Sequence, residues 1–245
     1  MSKSKRRPAS FTGAAGLLLA LAVLLAGCGG TVPASRYFVI QYEVEPAAGG
    51  VGPDLDLVLG VEAFSTQPLY RDRRIAYRVS QHEVVYYPYR YWAAAPGELV
   101  ADRLANHLRR AHVVRAVETA PYDLTPDWLL GGQVQQFEEV VRGKAGFARL
   151  ELSVRLEALG DRKILREEEI AVERPVLKRT PEAVAEAMSG AVREAGERIV
   201  ALIREEGARR GAGGAAGRSA VAGEPGAPGG EAGEAAGESG ESKPR

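Results

Sequence analysis

Thirteen residues, Phe147–Leu159 (FARLELSVRLEAL), alternate so regularly that they leave the chain little choice of structure. Leu150, Leu152, Val154 and Leu156 fall on one side of an extended chain. Arg149, Glu151, Arg155 and Glu157 fall on the other. A helical period of 3.6 would scatter both sets, whereas a period of two gathers them. A strand of this kind needs a sheet with one face covered and the other wet. The question for the rest of the chain is what lies beside this strand and what covers it.

Neighbouring strands are plentiful. Gly160-Asp161 turns the chain, and Lys163–Val176 pairs back. Before the alternating segment, Trp128–Val141 reads as a long strand, preceded by a short one at Val113–Glu118. Nearer the N-terminus, Tyr37–Val44 is rich in β-branched and aromatic residues, which suit a strand. Leu55–Phe64 alternates, with Leu55, Leu57, Leu59 and Val61 on one face, as a half-buried strand would. Arg74–Ser80 and Glu83–Trp92 are separated only by Gln81-His82, which predicts a tight antiparallel hairpin.

The cover comes from two amphipathic helices. Pro96 suits a first helical turn, where its missing N–H costs nothing. Val100, Leu104, Leu108 and Ala111 then form a stripe that Ala101 and Ala105 widen. The second helix starts after Thr180 as N-cap, with Pro181 first and Glu182 complementing the dipole. Its buried stripe is Val184, Met188, Val192, Ala195, Ile199 and Leu202, and it is expected to end near Glu206. The predicted fold class is α/β (α+β), with a mixed, largely antiparallel sheet and two principal helices.

The two ends of the chain belong to other functions. Lys3, Lys5, Arg6 and Arg7 precede an apolar run of 11 residues, Leu17–Gly27. A membrane-spanning helix needs about 20 residues, so the pattern reads as a signal peptide. The run ends in LLAGC, and Cys28 is the only cysteine. Leu-Ala-Gly before Cys resembles a bacterial lipobox. That resemblance implies cleavage before Cys28 and acylation of its thiol and new amine. A buried free thiol is the alternative, but the end of an apolar signal core is not a place where a fold can bury one. Several acyl chains give stable anchoring, because each buried CH₂ contributes about 0.8 kcal/mol. Gly29 follows, where lipoproteins kept in the inner membrane often carry Asp, so an outer-membrane, periplasm-facing location is expected. With Cys28 acylated, no intramolecular disulfide remains possible.

At the other end, residues 211–245 consist largely of Gly, Ala, Glu, Pro and Ser, with one Val and no Leu, Ile or aromatic residue. Such a segment cannot bury enough apolar surface to offset its ordering entropy, so a disordered tail is expected. The domain plan is a signal peptide (1–27), a lipidated tether (28–35), one folded domain (36–210) and the tail.

No catalytic or metal constellation is visible. His107 and His112 are five apart and do not share a helix face, and no second cysteine exists to help them or His82. Ser80, His82 and Asp72 are near in sequence, but no nucleophile elbow accompanies them. Gly49–Gly52 (GGVG) sits between two strands and ends in Pro53, which makes it a loop rather than a phosphate cradle. Glu167–Glu169 would alternate between faces of a strand, as on a solvated edge. A non-enzymatic role with no cofactor and no metal is expected. Basic and acidic residues balance at 32 each, and removing the signal leaves about −4. A nucleic-acid partner would call for a basic excess.

One stretch stands out. Tyr86-Tyr87-Pro88-Tyr89-Arg90-Tyr91-Trp92 holds five aromatics in a chain that is 7% aromatic. As a regular strand it would place Tyr87, Tyr89 and Tyr91 on one face, and Tyr86, Arg90 and Trp92 on the other. Pro88 cannot donate to a ladder, so it marks an edge or a bulge. Two roles are open: packing under the Val100–Leu108 helix, or partner docking by exposed Tyr, Trp and Arg side chains.

The order of several segments resembles the ABC-type transport auxiliary lipoprotein family, of the PqiC/YmbA type. They are the lipobox, Val61–Phe64 (VEAF), Tyr77-Arg78, Tyr86-Tyr87, Trp92, Pro96 and the Val100–Leu108 helix. LLGGQVQQFEEV and the final helix continue the match, which spans about Tyr37–Arg204. The resemblance implies a fold similar to the TolB N-terminal domain. It further implies a non-catalytic periplasmic subunit that works with an ATPase, a permease and an MCE-type substrate-binding protein. Such assemblies move lipids or other hydrophobic molecules between two membranes, and homo-oligomers occur in the family. The alternative on anchor and size alone is an envelope-assembly lipoprotein, of the lipopolysaccharide-assembly or secretin-helper kind.

Overall fold

The alternating segment is the middle strand of a three-stranded antiparallel meander, with every leucine of its stripe fully buried. A computed structural model describes residues 33–45 and 54–221, with side chains through Arg210. The signal peptide, Cys28, the Gly49–Gly52 loop and the last part of the tail lie outside the described residues.

The strands are β1 (Arg36–Phe38), β2 (Leu55–Val61), β3 (Ser65–Thr66), β4 (Arg74–Ser80), β5 (Glu83–Trp92), β6 (Val114–Thr119), β7 (Trp128–Arg142), β8 (Ala145–Ala158) and β9 (Lys163–Val176). The helices are α1 (Pro96–Ala111) and α2 (Pro181–Val221). β7 organises the sheet. Along one side it pairs over its whole length with β8, which pairs in turn with β9. Along the other side three short strands share it, all parallel: β2 near Trp128–Leu130, β3 at Gln133-Val134, and β4 at Glu138–Val140. β6 extends the sheet beyond β2, and β5 and then β1 extend it beyond β4. The long ladders are antiparallel as expected. The parallel pairings are short and join segments far apart in sequence.

Both helices lie on the face that carries Leu150, Leu152, Val154 and Leu156. α1 packs against β6, β2, β3 and β7, and α2 lies over β8, β9 and α1. Val100, Leu104 and Leu108 of α1 are fully buried, as are Val184, Met188, Val192, Ala195 and Ile199 of α2. Thr180 Oγ1 accepts a hydrogen bond from the Ala183 amide, so the expected N-cap is in place. At the start of α1, Gly97 lies so near β3 that a Cβ there would sit 1.9 Å from the Phe64 carbonyl oxygen. Its amide instead donates to Thr66 Oγ1 at 2.9 Å. This contact ties the helix backbone to the sheet through the Thr66 hydroxyl.

Three expectations change. The first strand spans only Arg36–Phe38. From Val39 to Glu45 the chain stays extended but leaves the sheet to lie across the helices, where the Gln41 amide donates to Ser189 Oγ and the Tyr42 hydroxyl to the Arg103 carbonyl. β2 is buried at Val58 and Gly60 as well as Leu59 and Val61, because Pro126 and Leu129 close over its outer face. Asp127 holds that cover down: its carboxylate accepts from the Val58 amide and its own amide donates to the Val58 carbonyl. α2 continues past Glu206 to Val221, so helical backbone crosses the boundary set at residue 210. The β4–β5 hairpin turns at Gln81-His82 as expected, without a left-handed residue at either position. The favoured two-residue hairpin turns need one, and the register slips beside the turn, between Arg78 and Ser80.

Candidate functional site

The aromatic strand does not alternate as a flat strand would. Arg74 pairs with Tyr91 and Ala76 with Tyr86, so β5 spends three more residues than β4 between the same two points. An odd surplus reverses the parity of the faces. Tyr91 therefore shares a face with Tyr86, not with Tyr87, and Trp92 shares the helix-side face with Tyr87. Tyr89 takes the bend at φ 58°, a left-handed conformation rare for an aromatic residue. Pro88 sits beside it on a free edge, where the lost donor does no harm.

The six residues separate accordingly. Trp92 is core, meeting Phe137 edge-on with ring centroids 4.9 Å apart. Phe137 belongs to β7, so Trp92 packs on the sheet's own side chains rather than simply under α1. Tyr87 is half-buried, stacks obliquely on Tyr77 at 4.8 Å, and donates its hydroxyl to Glu139 Oε2 at 2.6 Å. Tyr86 turns to the opposite face, donates to the Leu69 carbonyl, and carries the Arg74 guanidinium over its ring at 4.2 Å. Tyr89, Arg90 and Tyr91 remain for contact with something outside. Tyr91 stacks on the exposed Tyr37 of β1 at 5.7 Å.

Glu138 and Glu139, which the sequence reading did not single out, are both completely buried at the centre of β7. Adjacent strand residues point to opposite faces, so each has its own partners. Arg78 binds Glu138 in a two-pronged ion pair, 2.5 Å to Oε1 and 3.1 Å to Oε2. That pair raises the guanidinium's already high pKa. Tyr70, also buried, faces the same carboxylate; burial first and the Glu138 charge second suppress its ionisation. Glu139 receives the Tyr87 hydroxyl and a longer contact, 3.9 Å, from Arg179. Burial, together with Glu139, likewise suppresses ionisation of Tyr87. The one signal in the sequence was a pair of Glu residues inside an otherwise apolar run, between Phe137 and Val140-Val141.

A groove of about 790 Å³ lies between the Gln41–Glu45 segment and α2. Tyr42, Glu43, Ser189, Arg193 and Glu197 line it, with His107 of α1 at its base. His107 is only 4% exposed, and Nδ1 has no hydrogen-bond partner among the described residues. Gly196 of α2 makes room for the ring, since a Cβ there would lie 2.5 Å from Nδ1. Burial lowers the imidazole's pKa, an effect that Glu197 partly opposes. The folded state therefore binds less of a proton than the unfolded state near and below pH 6.5, and stability falls as pH falls through that value. The expected result is a lower urea midpoint at pH 6 than at pH 7.5. A His107→Gln variant should lose most of that slope; an unchanged slope would put the titration elsewhere.

The residues considered for hydrolysis are not assembled. Ser80 Oγ accepts from the His82 main-chain amide, not its ring, and Asp72 is engaged by Arg74 at the far end of β4. His112 caps α1 in a left-handed conformation. Among the described residues, no cluster of His, Cys, Asp or Glu is arranged to hold a metal ion. No described helix is long and apolar enough to cross a membrane.

Comparison with solved structures shows the same fold elsewhere. Protein XCC0632 from Xanthomonas campestris, of the DUF330 family, matches with a TM-score of 0.65 at 21% identity, covering 72% of this chain and 99% of its own. An uncharacterised protein matches with a TM-score of 0.55 at 14% identity, covering 70% and 99%. No curated protein matches the chain. The model of the ABC-type transport auxiliary lipoprotein component matches residues 38–200. That match begins in β1, runs through the aromatic bend, the buried glutamates and the helix that walls the groove, and the chain belongs to this family.

Proposed function

We propose that the protein is a lipid-anchored, non-catalytic subunit of an ABC-type transport system in the cell envelope. Cys28 is the anchor, and the outer membrane, on its periplasmic face, is its location. The folded domain binds its partners, an MCE-type substrate-binding protein and the permease and ATPase it serves, in moving lipids or other hydrophobic molecules. The carrying observation is the family match, which spans nearly all of the folded domain from β1 into α2. The LLAGC motif placed eight residues before β1 supports the anchor. Tyr89, Arg90 and Tyr91, the surface part of the aromatic strand, are the contact group that this strand leaves for something outside the domain.

Two measurements test this. Cys28→Ala should abolish acylation, read as the loss of the acyl mass on the N-terminal peptide, and should release the protein from the membrane fraction. Unchanged mass would remove the anchor from the proposal. Crosslinking in cells followed by purification of the tagged protein should recover an MCE-type protein or the permease. Repeated recovery of neither would refute the transport role.

A further inference from the structure

We infer that the contact group at the β1–β5 edge meets an anionic phospholipid surface, the membrane into which the chain is anchored. This rests on the reading of Cys28 as the lipid anchor. β1 is the outermost strand on its side of the sheet, and its partners on β5 are Arg90, Tyr91 and Trp92. Phe38 and Trp92 turn inward. Tyr37, 61% exposed, stacks on Tyr91 on the outer side, with exposed Val39 two residues along and Tyr89 at the bend. On the helix side, Arg36 reaches Glu182 in the first turn of α2 at 2.6 Å. That contact brings the β9–α2 connection to the same edge. Five residues before Glu182, Leu177 is 86% exposed, and the exposed Lys178 and Arg179 follow it.

The composition of this edge is unlike the rest of the chain. The whole sequence balances its charges. Yet the three segments that meet here, Pro33–Ile40, Val84–Ala95 and Pro175–Pro181, carry Arg36, Arg90, Lys178 and Arg179; the acids that meet them are Glu182, paired with Arg36, and the buried Glu139 near Arg179, which leaves a cationic excess. Tyrosines with one apolar and one polar end, a bare leucine, and flanking cations are the groups that settle at the boundary between headgroups and acyl chains. Cations draw such a surface to anionic lipid over about a Debye length.

The tether sets the distance. Eight residues separate Cys28 from Arg36. Fully extended they reach no more than about 28 Å, so this edge stays within that distance of the anchored lipid. A protein partner would fit exposed tyrosines too, but the excess of cations at this edge, over the single exposed Glu182 that pairs with Arg36, suits an anionic surface.

The test uses the full mature chain, acylated at Cys28 and reconstituted in vesicles of phosphatidylethanolamine and phosphatidylglycerol. Acylation occupies the only native thiol, so Tyr37→Cys, Leu177→Cys and Ile164→Cys each give one labelling site for an environment-sensitive dye. Ile164 is the control: it is exposed and lies at the other end of β9, about 40 Å from Val176. Dye at 37 and 177 should shift to the blue and be quenched by nitroxide lipid, and dye at 164 should not. Quenching at 164 alone, or equal quenching at all three, overturns the proposal. So does absence of quenching at 37 and 177 in protein shown by mass to be acylated.

If no acyl mass is found, the anchor reading fails separately. The Cys28→Ser chain then tests the surface by co-sedimentation. It should pellet with vesicles containing phosphatidylglycerol and not with pure phosphatidylcholine, losing about fivefold in affinity for each cation removed. Equal pelleting with both overturns it. Loss of permease crosslinking in Tyr89→Ala or Tyr91→Ala, with no quenching at 37 and 177, would assign the edge to a protein partner instead.

Discussion

Arg78→Ala is expected to lower the stability of the domain by about 3–5 kcal/mol, the loss that follows when a buried ion pair is broken by removing one partner. Glu138 has no exposed side-chain surface, and Arg78 meets it with two hydrogen bonds. Without the guanidinium, a carboxylate is left in a site closed by the sheet and by Tyr70. Tyr70 donates at most one hydrogen bond, too little to replace a charge. Urea unfolding followed by tryptophan fluorescence reads the effect. Because the penalty belongs to the orphaned charge, the double variant Arg78→Met with Glu138→Leu should recover most of it, as buried pairs often give way to apolar pairs at little cost. A single variant within about 1 kcal/mol of the native chain would show that water reaches Glu138 and that the pair contributes little.

This pair also shows where sequence reading stops. A period-two pattern reports which residues of a strand share a face, and it served well for β8. It reports nothing about the neighbours. β7 lies beside β2, β3 and β4 in turn, all parallel and all brought in by long connections. A reader of QQFEEVV sees two glutamates on opposite faces and assigns at least one to water. Both are buried because Tyr70 covers one face and Tyr87 reaches in on the other. The stripe of α2 was legible as far as packing defines it. Its end was not: residues 207–221 hold five glycines and no glutamate, a composition that disfavours helix, yet the helix runs on to Val221.

The aromatic segment failed for a different reason. Its residues were singled out, but their faces were assigned by counting, and counting assumes no bulge. Pro88 gave notice of an irregularity without saying how many residues it would absorb. Three extra residues move Tyr91 and Trp92 each to the opposite face. What read as two alternating faces of three residues each is thus a core residue, two tyrosines whose hydroxyls bind within the protein, and three residues left outside.

That division has a measurable consequence within seven residues of sequence. Trp92→Ala should cost about 3–5 kcal/mol, as truncations of buried aromatics do, because it removes the ring that meets Phe137 and opens a cavity where β5, β7 and the helix side converge. Against a total stability of about 5–15 kcal/mol, such a loss unfolds an appreciable fraction of the chain. Tyr89→Ala, on the exposed bend, should change stability by about 0.5 kcal/mol or less. Tyr89→Gly should be neutral or stabilising, since glycine adopts the φ of 58° without the strain a Cβ imposes. A Trp92→Ala variant with an unchanged urea midpoint would mean that the ring is not core. A Tyr89→Gly variant that unfolds readily would mean that the bend is held by its side chain rather than by its backbone. If both hold, Tyr89 can be altered to ask what the edge binds while the fold stays intact, and Trp92 cannot.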